Sequence, residues 1–323
     1  MCLSVLSRFY GFEQSHCTSD TNGMISVDLP ILMLILAQTG IGIVGNALLF
    51  CHYICSLFRR HVLRPLEQII NHIALANTLV LLCGGLPQTM ATFGMKFFLD
   101  DVGCKLVLYF QRVAWGSSLS ITCLLGIFQA LHTNPTNSRW AKLKFKSPKY
   151  VNSSCILSWI FHLLVNTIVP MRVSGPENSK NISMKLNLGH CSRVFLNTIT
   201  ETMCSVIFSS VDVICLGLMI WASGSMIFFL CRHKQQVQYI HRTRKSPQIS
   251  SETRATKFIL IFVSMFVLFY SLSSAFETWV YLFDNPPWRL VSTSMLLTSC
   301  FPTFSPFLLL KSDNHISSLC SFC

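Results

Sequence analysis

The sequence predicts an all-α membrane protein, a bundle of seven transmembrane helices, and three observations carry that prediction. Long apolar runs recur seven times between Leu29 and Leu310. Charged residues make up 12% of the chain and fall almost entirely in the gaps, whereas soluble domains carry roughly 25%. The positive residues also gather in alternate gaps. A helix rises about 1.5 Å per residue, so about 20 apolar residues cross a hydrocarbon core about 30 Å thick, where the backbone can bond only to itself. A mean hydropathy of +0.52 over 323 residues leaves too little polar surface to coat a soluble globule.

The first span, 29–57, stops at Arg59 and Arg60, and Arg64 precedes the second, 68–92. The third, 104–131, opens at Cys104, and five cations from Arg139 to Lys149 separate it from the fourth, 151–171. The fifth, 198–230, is followed by Arg232, Lys234, Arg242, Arg244, Lys245, Arg254 and Lys257. The sixth, 258–283, and seventh, 290–310, come next, and Lys311 closes the series. These gaps on one side hold 16 of the 25 Lys and Arg residues; eight fall on the other side, and Arg112 lies inside a span. Short Lys/Arg-rich loops stay cytoplasmic, so the amino terminus is expected outside and the carboxyl terminus inside. The division is then an outer segment at 1–28, a membrane domain at 29–310 and a cytoplasmic tail at 311–323. The charge of +12 reads as an orientation signal and a surface for anionic lipid and a cytosolic partner, not as a nucleic-acid footprint. Residues 1–6 are too short for a signal-peptide core and Arg8 interrupts the next stretch, so the first span is expected to direct insertion into the plasma membrane itself.

Most of the fifteen cysteines do not build a disulfide scaffold: Cys51, Cys55, Cys83, Cys123, Cys155 and Cys215 lie within spans, where Cys acts as a small apolar residue. Cys104 and Cys191 are expected on the oxidising side, and a bridge between them would pin the long loop before the fifth span; the alternative is two free thiols. Cys2 and Cys17 are also outside and could pair. Asn181-Ile182-Ser183 is a glycosylation sequon in that outer loop, whereas Asn152-Ser153-Ser154 begins the fourth span on the inner side, where no glycan is attached.

Several runs carry a closer likeness. Residues 71–77 (NHIALAN), 85–90 (GLPQTM), 98–105 (FLDDVGCK), 138–141 (SRWA), 147–150 (SPKY), 163–166 (LLVN), 216–225 (LGLMIWASGS) and 252–256 (ETRAT) resemble the vomeronasal type-1 receptors, from about Gly40 to Phe307. The resemblance implies a chemosensory receptor that binds pheromone-like small molecules from outside and activates an inhibitory-type heterotrimeric G protein, with no cofactor, metal or catalytic role. It also marks departures from other rhodopsin-like receptors. The acidic-Arg-aromatic triplet of the third helix is matched by Phe128-Gln129-Ala130, the sodium-holding Asp of the second by Asn77, and the Asn-Pro-x-x-Tyr of the seventh by the segment from Ser305 to Leu309. Gly45-Asn46 and Trp159 do match. Activation is therefore expected to rest on contacts other than a charge lock.

Ligands bind where a few polar groups converge on an apolar cavity between helices, and ionisable residues inside spans are costly enough to suggest function. Arg112, Asp212 and Glu277 each lie roughly 30 Å above the inner end of their helices, so all three reach the outer boundary. They are expected at the ligand site, with Arg112 facing Asp212 or an anionic ligand group and Glu277 at the rim; the alternative is that each snorkels to the headgroups. Gln111, Trp115 and Ser118 share a face of the third helix with Cys104 and Leu108, which would make Trp115 the pocket floor. The family pattern carries Arg at the place of Trp115, which changes the charge expected there. On the inner side Arg139 and Arg254 are the expected G-protein contacts, and positive-inside anchoring alone would account for most of their neighbours. The terminal Cys320-Ser321-Phe322-Cys323 has a C-a-a-X spacing without the aliphatic residue, so palmitoylation fits it better than prenylation.

A membrane enzyme or transporter is the competing class, with a degenerate receptor copy that no longer signals as a third reading. No two of the ten histidines lie three or four apart, as a helical metal site needs, and neither a Gly-x-Ser-x-Gly turn nor a phosphate-cradling glycine loop occurs. The paired halves typical of transporters are not visible. Solute flux in proteoliposomes would mark a transporter, and ligand-dependent nucleotide exchange a receptor.

Overall fold

The computed structural model describes residues 29–60, 64–92, 99–133, 148–174, 185–187, 191–194, 198–240, 251–282 and 288–312. Among them are seven helical segments long and apolar enough to cross a membrane, as the hydropathy requires. They are α1 (Leu29–Arg60), α2, α3 (Asp101–Thr133), α4 (Pro148–Val165), α5 (Thr198–Ile240), α6 (Ser251–Leu282) and α7 (Trp288–Ser312). The second runs in three consecutive stretches: α-helical Pro65–Val80, a π-helical turn Leu81–Gly85 and a last α-helical stretch Leu86–Thr92. The helix α4 tightens into a 3-10 stretch, Asn166–Arg172, that contains Pro170.

Local chemistry sets the helix starts. Pro65 at the first position of α2 fits because its missing N–H would be unpaired anyway, and Glu67 turns back to accept the Arg64 N–H at 2.9 Å. Asp100 accepts the Gly103 N–H at 2.7 Å and so caps α3. Two helices run past the expected spans. The helix α5 continues to Ile240 and α6 begins at Ser251, because a helix already nucleated in the membrane propagates one hydrogen bond per residue into polar sequence.

The sides of the bundle are apolar and exposed, with Phe58 77%, Met171 74% and Phe228 68% accessible. Water would penalise such a surface, and lipid accepts it. The interior is a continuous apolar core that includes Leu49, Ile73, Leu119, Leu125, Met219, Phe262 and Phe301. Polar links tie the helices through it. His72 Nε2 pairs with Asn152 Oδ1 at 3.1 Å between α2 and α4, and the Tyr109 hydroxyl donates to the Leu163 carbonyl at 2.8 Å between α3 and α4.

The seam between α1 and α7 is set by proline. Pro306 has no N–H, so the Pro302 carbonyl one turn earlier loses its helical partner. Asn46 Nδ2 replaces it at 2.8 Å and also bonds the Gly42 carbonyl at 2.8 Å. Gly42 and Gly45 permit the approach: a Cβ at 42 would meet Thr303 Oγ1 at 2.9 Å, and one at 45 would meet Pro306 Cγ at 2.9 Å.

At one end a small sheet crosses the bundle, a feature outside the sequence expectation. Its strands β1 (Val173–Ser174), β2 (Lys185–Asn187) and β3 (Ser192–Val194) lie in the order β1-β3-β2, antiparallel throughout, with Val173 opposite Arg193 and Leu186 opposite Arg193. The Cys104–Cys191 disulfide ties the start of β3 to the first turn of α3, with Val173 packed beside it. The bridge spans 87 positions of sequence, a long loop whose closure removes much of the freedom of the unfolded chain.

Cys104→Ser and Cys191→Ser should each lower the midpoint of thermal unfolding in detergent by the same amount, equivalent to about 2–4 kcal/mol, and the double variant should be no worse than either. Additive losses would mean that the two thiols act separately. Asn46→Leu leaves the buried Pro302 carbonyl with only the long 3.5 Å contact from the Ser305 hydroxyl and should cost about 1–3 kcal/mol in the same assay.

Candidate functional site

Between α3, α4 and α5 lies a cavity of about 10 Å³, room for a single water. Arg112, Trp115 and Gly116 line it from α3, Phe161, His162 and Val165 from α4, and Phe208, Val211 and Asp212 from α5, with Asn166 beyond the end of α4. The Arg112 guanidinium lies over the Phe208 ring, 5.0 Å from its centre, where the negative face of the ring attracts the cation. Arg112 and Tyr270 of α6 are both within electrostatic reach of the Asp212 carboxylate. Trp115 stacks on Tyr270, with ring centres 5.2 Å apart and planes 16° from parallel.

His162 forms the far wall. Its Nε2 pairs with Ser120 Oγ at 2.8 Å, and Asn166 Nδ2 donates to its backbone carbonyl at 2.7 Å. The ring lies flat against α3 because Gly116 offers no side chain; a Cβ there would collide with the imidazole. Ser120 in turn approaches Cys215 Sγ of α5 at 3.9 Å, so the three helices share one polar thread.

The structure divides the expected site residues. Arg112, Trp115 and Asp212 meet at this cavity. Gln111 faces a second cavity between α1, α2, α3 and α7. Ser118 lines neither, because its hydroxyl donates to Asn77 Oδ1 at 3.1 Å while Asn77 Nδ2 donates to Ser305 Oγ at 2.9 Å. It belongs to a hydrogen-bonded tie among α2, α3 and α7, at the position matched to the sodium-holding Asp. Glu277 is half-buried on α6 and lines neither cavity. Cys104 and Cys191 form the disulfide. Arg254 falls in the first turn of α6, while Arg139, Asn181, Cys2, Cys17, Cys320 and Cys323 lie outside the described residues.

Sequence reasoning passes over His162, Phe208 and Tyr270. The available signal for His162 is the pair His162 and Asn166, two polar residues one turn apart in an apolar run, hence on one face.

The model of the vomeronasal organ pheromone receptor family matches residues 29–322. The chain belongs to that family. It is 48% identical over 288 residues to vomeronasal type-1 receptor 1 of Gorilla gorilla gorilla, a match covering 89% of this chain and 81% of the relative. It is 47% identical over 287 residues to vomeronasal type-1 receptor 4 of Homo sapiens, covering 89% and 95%. A more distant relative, olfactory receptor class A-like protein 1 of Danio rerio, is 31% identical over 286 residues, covering 88% and 89%. With its seven membrane helices, this vomeronasal receptor is a multi-pass plasma-membrane protein of the G-protein-coupled receptor class.

In this vomeronasal receptor the place of the charged triplet is taken by a neutral link. Gln129 Nε2 of α3 donates to Thr256 Oγ1 of α6 at 3.1 Å, both side chains buried at the end of the bundle opposite the disulfide. Above it an aromatic column descends: Trp115 on Tyr270, Tyr270 on Phe266 at 5.6 Å, Phe266 against Phe301 at 4.6 Å, and Phe301 against Phe262 at 5.2 Å.

Arg112→Asp and Asp212→Arg should each reduce receptor at the cell surface, because each leaves two like charges in a half-buried cleft at a cost of about 1–3 kcal/mol. The double exchange should restore surface biotinylation to near the wild-type level. A swapped receptor retained inside the cell as fully as the single variants would show that the two side chains do not depend on each other.

Proposed function

We propose that this chain is a chemosensory receptor whose ligand binds at the cleft of Arg112, Trp115, Phe208 and Asp212, and whose G protein docks at the opposite end. The observation that carries the reading is the pair of ionisable side chains, Arg112 and Asp212, at one small cavity between membrane helices. A structural role alone would be served as well by apolar residues, since burying opposite charges gains little after desolvation. Two charges beside aromatic faces can instead recognise a polar molecule with an apolar body. In this reading the disulfide end faces outside, as the positive-inside rule assigns, and the ligand comes from that side.

The cavity has room for one water, so a larger ligand has to open it. An anionic ligand group would compete with Asp212 for Arg112, and a cationic one would compete with Arg112 for Asp212. Either exchange alters the field of Asp212 at Tyr270, and Tyr270 is the top of the aromatic column on α6. Movement of α6 then has to break the polar tie of Gln129 to Thr256 at the inner end. Arg139 and Arg254 flank that end in sequence and are the proposed contacts for an inhibitory-type G protein. Ligands stabilise the open arrangement only as far as they prefer it, so this tie sets part of the threshold.

The test is nucleotide exchange on an inhibitory-type G protein by the receptor in nanodiscs, challenged with a panel of conspecific odorants. At least one compound should raise exchange in the wild type, and Arg112→Gln should abolish or strongly shift that response. Thr256→Val, which removes the acceptor hydroxyl without changing shape much, should raise exchange in the absence of any odorant by about threefold to tenfold, the equivalent of about 1 kcal/mol. A ligand response that Arg112→Gln leaves intact would remove this cleft as the site. Exchange unresponsive to the whole panel, with solute flux in its place, would remove the receptor reading.

A further inference from the structure

A group of reactive side chains lies beside the lipid, one turn of α5 beyond the charged cleft. Among the described residues, α4 and α5 each pack against α3 and scarcely against each other, so α3 forms the floor of a groove between them. Cys215 follows Asp212 by three residues on α5 and so lies one turn further along this groove. Its side chain is half-buried, while its neighbours Ile214 and Leu218 are 60% and 39% exposed and Phe161 of α4 is 41% exposed. The groove therefore opens sideways, and a molecule dissolved in the bilayer can approach Cys215 without passing through the outer mouth of the bundle.

Three side chains from three helices make a proton path there. Cys215 Sγ lies 3.9 Å from Ser120 Oγ, and Ser120 Oγ lies 2.8 Å from His162 Nε2. In the tautomer whose Nδ1 carries the ring proton, Nε2 accepts from the Ser120 hydroxyl, and the Ser120 oxygen can accept from the thiol. Packing holds the imidazole in this position: Gly116 leaves room for its face, and Phe161 meets it edge-on with ring centres 5.2 Å apart. A thiol in apolar surroundings is ordinarily inert, because the thiolate is the nucleophile; a base reached through a hydroxyl changes that. Ser158 adds a second observation. It lies one turn before His162 on the same face of α4, and its buried hydroxyl has no hydrogen-bond partner among the described residues. A buried donor left unanswered is costly, and an arriving carbonyl oxygen would relieve that cost.

We propose that Cys215 is a covalent modification site for membrane-dissolved α,β-unsaturated aldehydes, with Ser120 and His162 taking up its proton. The Cys215 sulfur bonds to the β-carbon as the carbon–carbon π bond breaks. The thiol proton passes to Ser120 while the Ser120 proton passes to His162 Nε2, and the electron pair of the π bond becomes an enolate. The enolate then recovers a proton at its α-carbon along the same path in reverse. The product is a thioether of the saturated aldehyde, with all three side chains back in their starting protonation states and no oxidant consumed. Ser158 can donate to the aldehyde oxygen as negative charge gathers on it. The alkyl tail stays in the lipid against Ile214 and Phe161, so the groove needs to admit only the reacting end. Unlike a reversible ligand, the adduct survives washing, and the receptor keeps a record of exposure.

The test exposes the full-length receptor in nanodiscs to a medium-chain α,β-unsaturated aldehyde with a terminal alkyne, reduces the adducts with borohydride and maps them by mass spectrometry over time. Cys51 and Cys55 of α1 are more exposed than Cys215, so access alone would label them first. Cys215 should instead react about tenfold faster than either. The readout is the ratio of Cys215 to Cys51 labelling, in which differences in probe partition cancel. Ser120→Ala and His162→Gln should each lower that ratio about tenfold, and Ser120→Thr, which restores the hydroxyl, should keep it. The saturated aldehyde of the same length has no β-carbon to attack and should leave no thioether. Labelling needs neither an odorant nor a G protein, so its outcome is read separately from that of the charged cleft. Reaction at Cys51 and Cys55 ahead of Cys215, or a ratio that Ser120→Ala leaves unchanged, would overturn the proposal.

Discussion

The interior of this receptor is shielded from bulk water, so a polar group there is stabilised when its own or a neighbouring helix answers it. The prolines of α7 make the constraint concrete. Pro306 removes a donor from the helix ladder, and in hydrocarbon an unanswered carbonyl costs several kcal/mol. Asn46 supplies the donor, but only because Gly42 and Gly45 bring α1 close enough for a short side chain to reach. The same seam continues toward the disulfide end, where Thr303 donates to the Gln38 carbonyl and the Gln38 side chain donates to the Leu296 carbonyl. Fixing α1 on α7 thus also fixes one wall of the second cavity.

How far these features are legible in the sequence depends on the range of each interaction. The membrane spans are legible because crossing lipid imposes about 20 apolar residues wherever it occurs, a constraint local in sequence. Cys104 and Cys191 are legible as a pair because few cysteines are expected on the oxidising side. The ends of α5 and α6 are not legible, since charge ends a membrane span without ending a helix. Nor is the small sheet before α5, whose strands are two or three residues long and held by partners and a disulfide more than by propensity.

Among the candidate site residues, Arg112 and Asp212 announce themselves by charge, but their neighbours do not. Tyr270 and Phe208 look like any aromatic in an apolar run, and their roles come from which face of α6 and α5 turns inward. Periodicity cannot settle that here, because α5 carries apolar residues nearly all round. Gln111 and Ser118 illustrate the same limit on α3. Spacing groups them on one face with Trp115, yet they do not share a site: Gln111 and Ser118 meet α2 at Gly84 and Asn77, two turns apart, and Trp115 meets α6 at Tyr270. A central helix has neighbours on nearly every side, so residues within one broad stripe reach different sites.

The distribution of charge along α3 bears on how such a receptor could switch. Near the disulfide end the ties of α3 involve Arg112, in the middle the neutral set of Asn77, Ser118 and Ser305, and at the opposite end the neutral pair of Gln129 and Thr256. A neutral hydrogen bond contributes about 1 kcal/mol net, far less than the cost of separating a desolvated ion pair without replacing the partner. In the proposed reading, breaking the Gln129–Thr256 bond needs only modest differential affinity, and the resting population depends also on packing in the aromatic column. The charged cleft has the opposite property. Its groups separate at low cost only when something of suitable charge takes their place, which in the proposed reading makes the ligand end discriminating and the opposite end permissive. In the proposed reading that asymmetry suits a detector of small molecules: selectivity is set at the charged cleft, and little of the binding free energy is consumed in moving α6.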